Sequence, residues 1–286
     1  MTRAALLVCP ASGKGRAARM AGSTAAALRP HVSELRQLVA HDAAGTLSLA
    51  REAVADGVDL LVVLGGDGAA HLGIQACAGT STALGIVPAG TGNDLANAIG
   101  SQSVEDVVNG TRKTLDLGQL STGQWFATVL CAGFDSAVNE RANAMRWPAG
   151  PRRYDLAILA ELASLRSAPL LVTTESESFS LDATLVAVGN TPNYGGGIPV
   201  CPQADAHDGL FDVTVVEHAS RSMLMRMLPT LRTGTHTDHP AVRTFRAREV
   251  SLSGGNGWVA YADGERQEAL PVSVKTVPGA LAVVGR

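Results

Sequence analysis

The chain has 286 residues, 46% of them hydrophobic, and a formal net charge of -3. That is enough apolar material for one large or two ordinary domains, and the near-balanced charge argues against a nucleic-acid binder, which carries a basic domain or stripe. No segment approaches the roughly 20 apolar residues of a membrane span, and Cys9, Cys77, Cys131 and Cys201 lie too far apart for a CxxC pair or a disulfide framework, as expected of small buried hydrophobes in a reducing compartment.

In chain order, the first part alternates short apolar blocks with helical periods: "AALLVC", an Ala-rich stretch to about Leu28, "TLSLAREAVADG", "VDLLVVL", "AAHLGIQACAG", "TALGIVPAG" and "NDLANAIG". The opening run from Ala4 to Cys9 is shorter than a secretory core and reads as a first strand. Such alternation predicts βα units, hence an α/β N-terminal domain with a parallel sheet. From about Leu117 the apolar runs lengthen and crowd together: "WFATVLCAG", "PLLVTTE", "LDATLVAVGN", "LFDVTVVE", "REVSLSGG", "WVAYADGE", "LPVSVKTV" and "ALAVVG". This predicts a mainly antiparallel, β-sandwich-like C-terminal domain, with helices near "SAVNERANAM", "YDLAILAELASL" and "SRSMLMRML". The boundary falls between 117 and 118, giving domains 1–117 and 118–286.

Ligands of an open parallel sheet bind beyond the carboxyl ends of its strands, where loops enter helices. Two glycine-rich loops stand there, "GGDG" (Gly65, Gly66, Asp67, Gly68) after Leu64, and "PAGTGND", with Gly90, Thr91, Gly92, Asn93 and Asp94, after Val87. Glycine lets a phosphate approach bare N–H groups, and the following helix N-terminus favours negative charge. An acid beside phosphates needs a cation between them or a proton to accept, so Asp67 and Asp94 are candidates to face Mg²⁺. The plainer alternative is a turn with Asp67 as a helix cap. "GKGRAA" at 13 to 18 formally fits the dinucleotide pattern but Pro10 intervenes and no acid ends the next strand; the P-loop fingerprint is missing around Lys14.

Taken together, "CPASGKG", "GGDG", "PAGTGNDLA", "LDLG", "AGFDSAV", "VGNTPNYGGGIPVCPQADAHDGLFDV" and "DGE" resemble, in order and over nearly the whole chain, the diacylglycerol kinase catalytic family, which includes bacterial diacylglycerol kinases, YegS-type lipid kinases and sphingosine kinases. The resemblance implies a nucleotide domain similar to those of NAD kinase and phosphofructokinase, a lipid-substrate domain, and an active site in the cleft between them. It implies ATP and Mg²⁺ as cofactors, with Ser12, Gly13, Lys14 and Gly15 joining Gly65 to Gly68 and Gly90 to Asp94 as the ATP-binding segments. It implies Asp263 as the base for the lipid hydroxyl, with Glu265 beside it and Asp67 at the phosphates, although "ADGE" alone also suits a tight turn. It further implies a structural Mg²⁺ held by Asp205, Asp208 and the carbonyl of Leu210, against a polar turn as the alternative.

The chain departs from the family pattern at Ala69, where Thr is usual, and at Leu72, where an acid is frequent. His71, lacking a visible partner, reads as a structural residue on the helix surface or in the cleft. A lipid substrate requires contact with a membrane surface: Arg141, Arg146, Arg152 and Arg153 beside Trp147, and the Met- and Leu-rich "SRSMLMRMLPTLRTG", suit an interface but equally suit ordinary helices. The resulting expectation is an ATP- and Mg²⁺-dependent lipid kinase, most simply converting diacylglycerol to phosphatidic acid, cytoplasmic and peripheral to the inner face of the membrane, with a homodimer left open. The alternatives are an NAD kinase-like small-molecule kinase and a non-catalytic pseudokinase that binds lipid or nucleotide.

Overall fold

In the first half, short apolar runs form strands buried on both faces. Strands β1 (Arg3–Val8), β3 (Leu60–Gly65) and β4 (Ala83–Pro88) are almost wholly buried, as expected for a parallel sheet covered by helices. The structure is a computed structural model that describes residues 2–40, 42–145, 156–157, 160–161 and 167–286. With β2 (Glu34–Val39) these strands run parallel in the order β2-β1-β3-β4. Alternate side chains divide between two cores, Leu7, Val63 and Ile86 on one face and Leu6, Val62 and Val87 on the other. Helices α1 (Ser12–Leu28), α2 (Ala43–Ala55), α3 (Asp67–Cys77), α4 (Asp94–Ala98) and α5 (Val104–Asn109) alternate with them. Asp42 starts α2 by accepting from the Gly45 N–H at 2.7 Å.

This strand order reverses between β1 and β3, since the chain leaves β1 toward one edge and β3 toward the other. A crevice therefore opens beyond the carboxyl ends of those two strands. The loops at Ser12–Gly15 and Gly65–Gly68 border that crevice, and the loop from 89 to 94 lies beside them.

The second half is antiparallel and β-rich. It comprises β5 (Thr111–Leu120), β6 (Trp125–Phe126), β7 (Val129–Gly133), α6 (Phe134–Ala144), β8 (Ala168–Thr174), β9 (Ser178–Gly189), β10 (Phe211–Glu217), α7 (Arg221–Leu231), β11 (Val242–Ala247), β12 (Glu249–Gly254), β13 (Val259–Ala262), β14 (Glu265–Ala269) and β15 (Val272–Gly285). Its core stacks Phe126 on Phe211, with ring centroids 5.7 Å apart, among Leu130, Val172, Val186 and Leu252. In α7 the Met and Leu stripe turns Leu224 and Met227 into a smaller core and leaves Met225 exposed. No helix among the described residues is long and apolar enough to cross a membrane. Arg146, Trp147, Arg152, Arg153 and most of the expected "YDLAILAELASL" helix lie outside the described residues.

Four strands escaped the sequence reading: β2, β11 and β14, whose exposed polar positions blur any alternation, and β5, which opens on the exposed polar run from Thr111 to Thr114. The 117/118 boundary falls inside β5, and β15 pairs along β5 before its end joins β4 in parallel, Val283 opposite Leu84. The last strand thus closes the sheet of the first half, and its Leu281 is fully buried in the core formed by Leu7, Val63 and Ile86. Leu281→Ala is expected to cost about 2–5 kcal/mol, read as a lower urea midpoint at unchanged slope; a loss under about 1 kcal/mol would remove β15 from that core.

Candidate active site

The three loops of the crevice meet backbone to backbone. Gly13, Lys14 and Gly15 have φ of 59°, 56° and 80°, which breaks the helical path at the start of α1. A Cβ on Gly13 would overlap the carbonyl oxygen of Ala89, so only glycine lets the first loop reach the third. Gly66 and Gly90 face each other so closely that a Cβ on Gly90 would stand 2.7 Å from the Gly66 Cα. Gly66 is the N-cap of α3, and the first N–H groups of that helix have no carbonyl one turn earlier to receive them. The result is a cradle of uncovered amides at a positive helix end, which fits phosphate oxygens.

Asp67 is the first residue of α3 and does not cap it. Its two oxygens accept instead from the N–H groups of Asn93 at 2.8 Å and Asp94 at 2.7 Å, lashing the second loop to the third. Asn93, at φ 58°, clamps both the N–H and the carbonyl of Gly90 at 3.1 Å. Asp94 reaches across to the other half and accepts from the N–H groups of Gly196 at 3.0 Å and Gly197 at 2.9 Å. Burial raises the Asp94 pKa, the Gly196 amide pulls it back, and the charges of Asp67 and Asp263 push it further up. Asp94 therefore feels both other acids across the crevice. Ser12, Gly15 and Gly92 are half-buried, and Lys14 and Thr91 are exposed at the rim.

Asp263 sits at the β13–β14 turn with φ 52°, its side chain only 7% exposed. Oδ1 accepts from the Thr128 N–H at 2.8 Å and the Thr128 hydroxyl at 2.6 Å; Oδ2 accepts from the Ala127 N–H at 3.0 Å and faces His71 Nδ1 at 3.3 Å. Burial acts to raise its pKa, but the hydrogen bond and charge of His71, the Thr128 hydroxyl and the Ala127 amide outweigh it and hold the carboxyl below the usual aspartate range. Oδ2 is the less committed oxygen. Glu265 is exposed, and its Oε1 lies 3.1 Å from where a Cβ on Gly68 would be, so the "DGE" turn and the "GGDG" loop adjoin.

His71 takes the second of the two placements expected of it, in the cleft, and corrects the expectation that it lacks a partner, being 7% exposed and facing Asp263. Burial lowers its pKa, while the hydrogen bond and charge of Asp263 and the charge of Glu265 reverse this and raise it overall. Gln75, one turn on, bonds the Trp125 backbone through both ends of its amide, Nε2 to the carbonyl at 2.6 Å and Oε1 from the N–H at 3.1 Å. A signal was available: Asp67, His71 and Gln75 recur every four residues on an otherwise apolar helix, which puts them on one face. Thr128 and the Gly196–Gly197 amides carried no such signal. Ala69 is buried in the core of the first half, and a Cβ on Gly65 would stand 2.4 Å from the Ala69 Cβ, so it packs directly beneath the second loop.

Among the described residues no group of three His, Cys, Asp or Glu is arranged to hold a metal ion. Asp67 and Asp94 keep acceptor capacity beyond their backbone bonds, which fits a hydrated Mg²⁺ arriving with phosphates better than a preformed cage. At the 205–210 turn, Asp205 accepts from the His207 N–H at 3.1 Å and Asp208 from the Leu210 N–H at 2.9 Å. The second Asp208 oxygen pairs with Arg246, which also bonds Asp212 at 3.2 Å. A guanidinium thus supplies the counter-charge there, and the turn as arranged does not fit a Mg²⁺ cage. Asp116, from "LDLG", accepts from the N–H groups of Gly209 at 2.8 Å and Gly279 at 2.7 Å, fastening this turn to β5 and β15. None of the four cysteines forms a disulfide, and burial pushes the Cys77 and Cys201 thiols up to about 12.

Residues 3–120 match the family described as the diacylglycerol kinase catalytic domain, and residues 128–285 match the YegS C-terminal NAD kinase beta sandwich-like domain. A diacylglycerol kinase of Mycobacterium tuberculosis is 42% identical over 289 residues, covering 97% of this chain and 93% of its own. A diacylglycerol kinase of Bacillus subtilis is 26% identical over 231 residues, covering 78% and 76%. In fold, the chain resembles the crystal structure of a candidate diacylglycerol kinase from Bacillus anthracis str. Sterne, with a TM-score of 0.84 at 21% identity over 99% of this chain and 95% of the other.

Two outcomes test this geometry. Because the Asp263 pKa is depressed in the folded state, its ionisation contributes stability above the unfolded value of about 3.9, and that contribution is lost as pH falls through the folded value. Asp263→Asn should therefore lower the melting temperature near neutral pH and shrink the loss of stability on acidification, as read in thermal melts from about pH 7 to about pH 3. At the 205–210 turn, Arg246→Met should lower the melting temperature and make it rise with added Mg²⁺, while the wild type stays insensitive; an equal rise in both would restore a resident cation.

Proposed function

Given that this chain belongs to the diacylglycerol kinase catalytic family and is a lipid kinase, we propose that it transfers the γ-phosphate of ATP, with Mg²⁺, to the free hydroxyl of diacylglycerol, yielding phosphatidic acid and ADP. The observation that carries this reading is the junction of the two halves: the "DGE" turn stands against the "GGDG" loop, with His71 of α3 bonded to Asp263.

The phosphates lie on the amides of Gly66 to Gly68, Gly13 to Gly15 and Gly90 to Gly92, with Ser12, Lys14 and Thr91 at the rim. Asp67 and Asp94 would hold Mg²⁺, which would supply neutralisation of charge on the phosphate oxygens. The lipid hydroxyl meets Asp263 Oδ2. Its oxygen forms the new bond to the γ-phosphorus as the bond from that phosphorus to the β-phosphate oxygen breaks, and its proton passes to Asp263. A carboxylate held below its usual pKa is a weak base but a constant anion, which suits phosphoryl transfer, where orientation and charge outweigh basicity. Glu265, exposed beside Gly68, closes the acceptor side. The protein works in the cytoplasm, peripheral to the inner face of the membrane, where its substrate lies.

Purified protein given labelled ATP and Mg²⁺ should label diacylglycerol in mixed micelles and leave NAD unlabelled; label on NAD and none on lipid would overturn the substrate assignment. Asp263→Asn should reduce kcat by about 10²–10⁴-fold with the ATP KM within about three-fold. Retained turnover would remove Asp263 from the chemistry.

A further inference from the structure

We infer that His71, held in one tautomer by Gln75, is a positioning residue that aims the Asp263 carboxylate at the acceptor site. The inference rests on Asp263 as the proton acceptor. Gln75 cannot turn its amide over without breaking both of its bonds to the Trp125 backbone, so its NH₂ end is fixed toward His71 Nε2, 3.4 Å away. An NH₂ group offers only donors. His71 Nε2 must therefore be the accepting nitrogen, and the proton of the neutral ring resides on Nδ1, where it is donated to Asp263 Oδ2.

Placement makes this contact consequential. Oδ1 is fixed by two short bonds from Thr128, whereas Oδ2, the oxygen assigned above to the substrate hydroxyl, has only the Ala127 amide and His71 to set its direction. His71 lies one helical turn beyond Asp67, so one face of α3 fixes the spacing between the acid at the phosphates and the acid at the acceptor. The charged groups facing the ring are Asp263 and Glu265 from the β13–β14 turn, with Asp67 one turn away on α3; β6 offers only the Trp125 backbone, through Gln75. Protonation of Nε2 would set a ring N–H against the Gln75 NH₂, which opposes the charge that Asp263 and Glu265 favour.

The test combines spectroscopy with kinetics. In protein carrying isotope-labelled histidine, the resonances lost in His71→Asn should show, at a pH above the titration of the ring, a proton on Nδ1 and none on Nε2. In Gln75→Leu the ring, relieved of the opposing donor, should become protonated at a higher pH. His71→Leu should lower kcat by about 10–100-fold with the ATP KM within about three-fold, and His71→Asn, whose amide can donate from the Nδ1 position, should recover most of that loss. A proton on Nε2 of the neutral ring, an unmoved titration in Gln75→Leu, or wild-type kcat in His71→Leu would overturn the inference. The spectra need no turnover, so they stand even if diacylglycerol proves the wrong substrate.

Discussion

A carboxylate removed from water has to be met by donors, and Asp263 draws its donors from both halves of the chain. The Ala127 and Thr128 amides come from the segment between β6 and β7, and the His71 imidazole comes from α3. Hydrogen bonds to a charged group are worth about 1.5–3 kcal/mol each, and leaving a buried charge unpaired costs more. Separating the halves at this point would leave that charge without part of its shell. The same need fixes Asp94, whose carboxylate crosses the cleft to Gly196 and Gly197. The acids proposed to serve the chemistry are therefore also what hold the cleft to its width.

The parallel sheet supplies the other constraint. Its order reverses between β1 and β3, so the loops after both strands open onto one crevice, and the chain meets there as bare backbone. Side chains at Gly13, Gly66 or Gly90 would force those backbones apart. Asp67 completes the arrangement by satisfying two amides of the neighbouring loop, which leaves the amides of its own helix end uncovered. Where side chains do the binding of backbone, backbone is free to bind phosphate.

Much of this was legible in the sequence because its signals are local. Apolar runs buried on both faces announced β1, β3 and β4, and glycines flanking single acids announced the loops. The motif order brought together Asp67, Asp94 and Asp263, which no local rule connects. What stayed hidden depends on partners remote in the chain. His71 and Asp263 are separated by 192 positions, and a lone histidine gives no hint of the carboxylate it meets. Arg246 occupies an exposed strand position indistinguishable in sequence from any solvated arginine, yet it brings Asp208 and Asp212 their counter-charge. The polar edge strands β2 and β11 were unreadable for a related reason: their pairing is satisfied on one side only, so burial imposes little pattern on their side chains.

Helix α3 shows how the departures from the family pattern are absorbed. Its N-terminal amides face the crevice, its apolar face packs on the sheet through Gly73 and Ile74, and its third face carries Asp67, His71 and Gln75 toward the second half. Ala69 belongs to the packed face and Leu72 is half-buried, so exchanging polar groups there for apolar ones strengthens burial without touching the stripe. Each face has a separate physical task, and a change is tolerated where it agrees with the task of its own face. By that rule the positions least free to vary on α3, after the glycines and Asp67, are the two that no motif marks, the histidine and the glutamine.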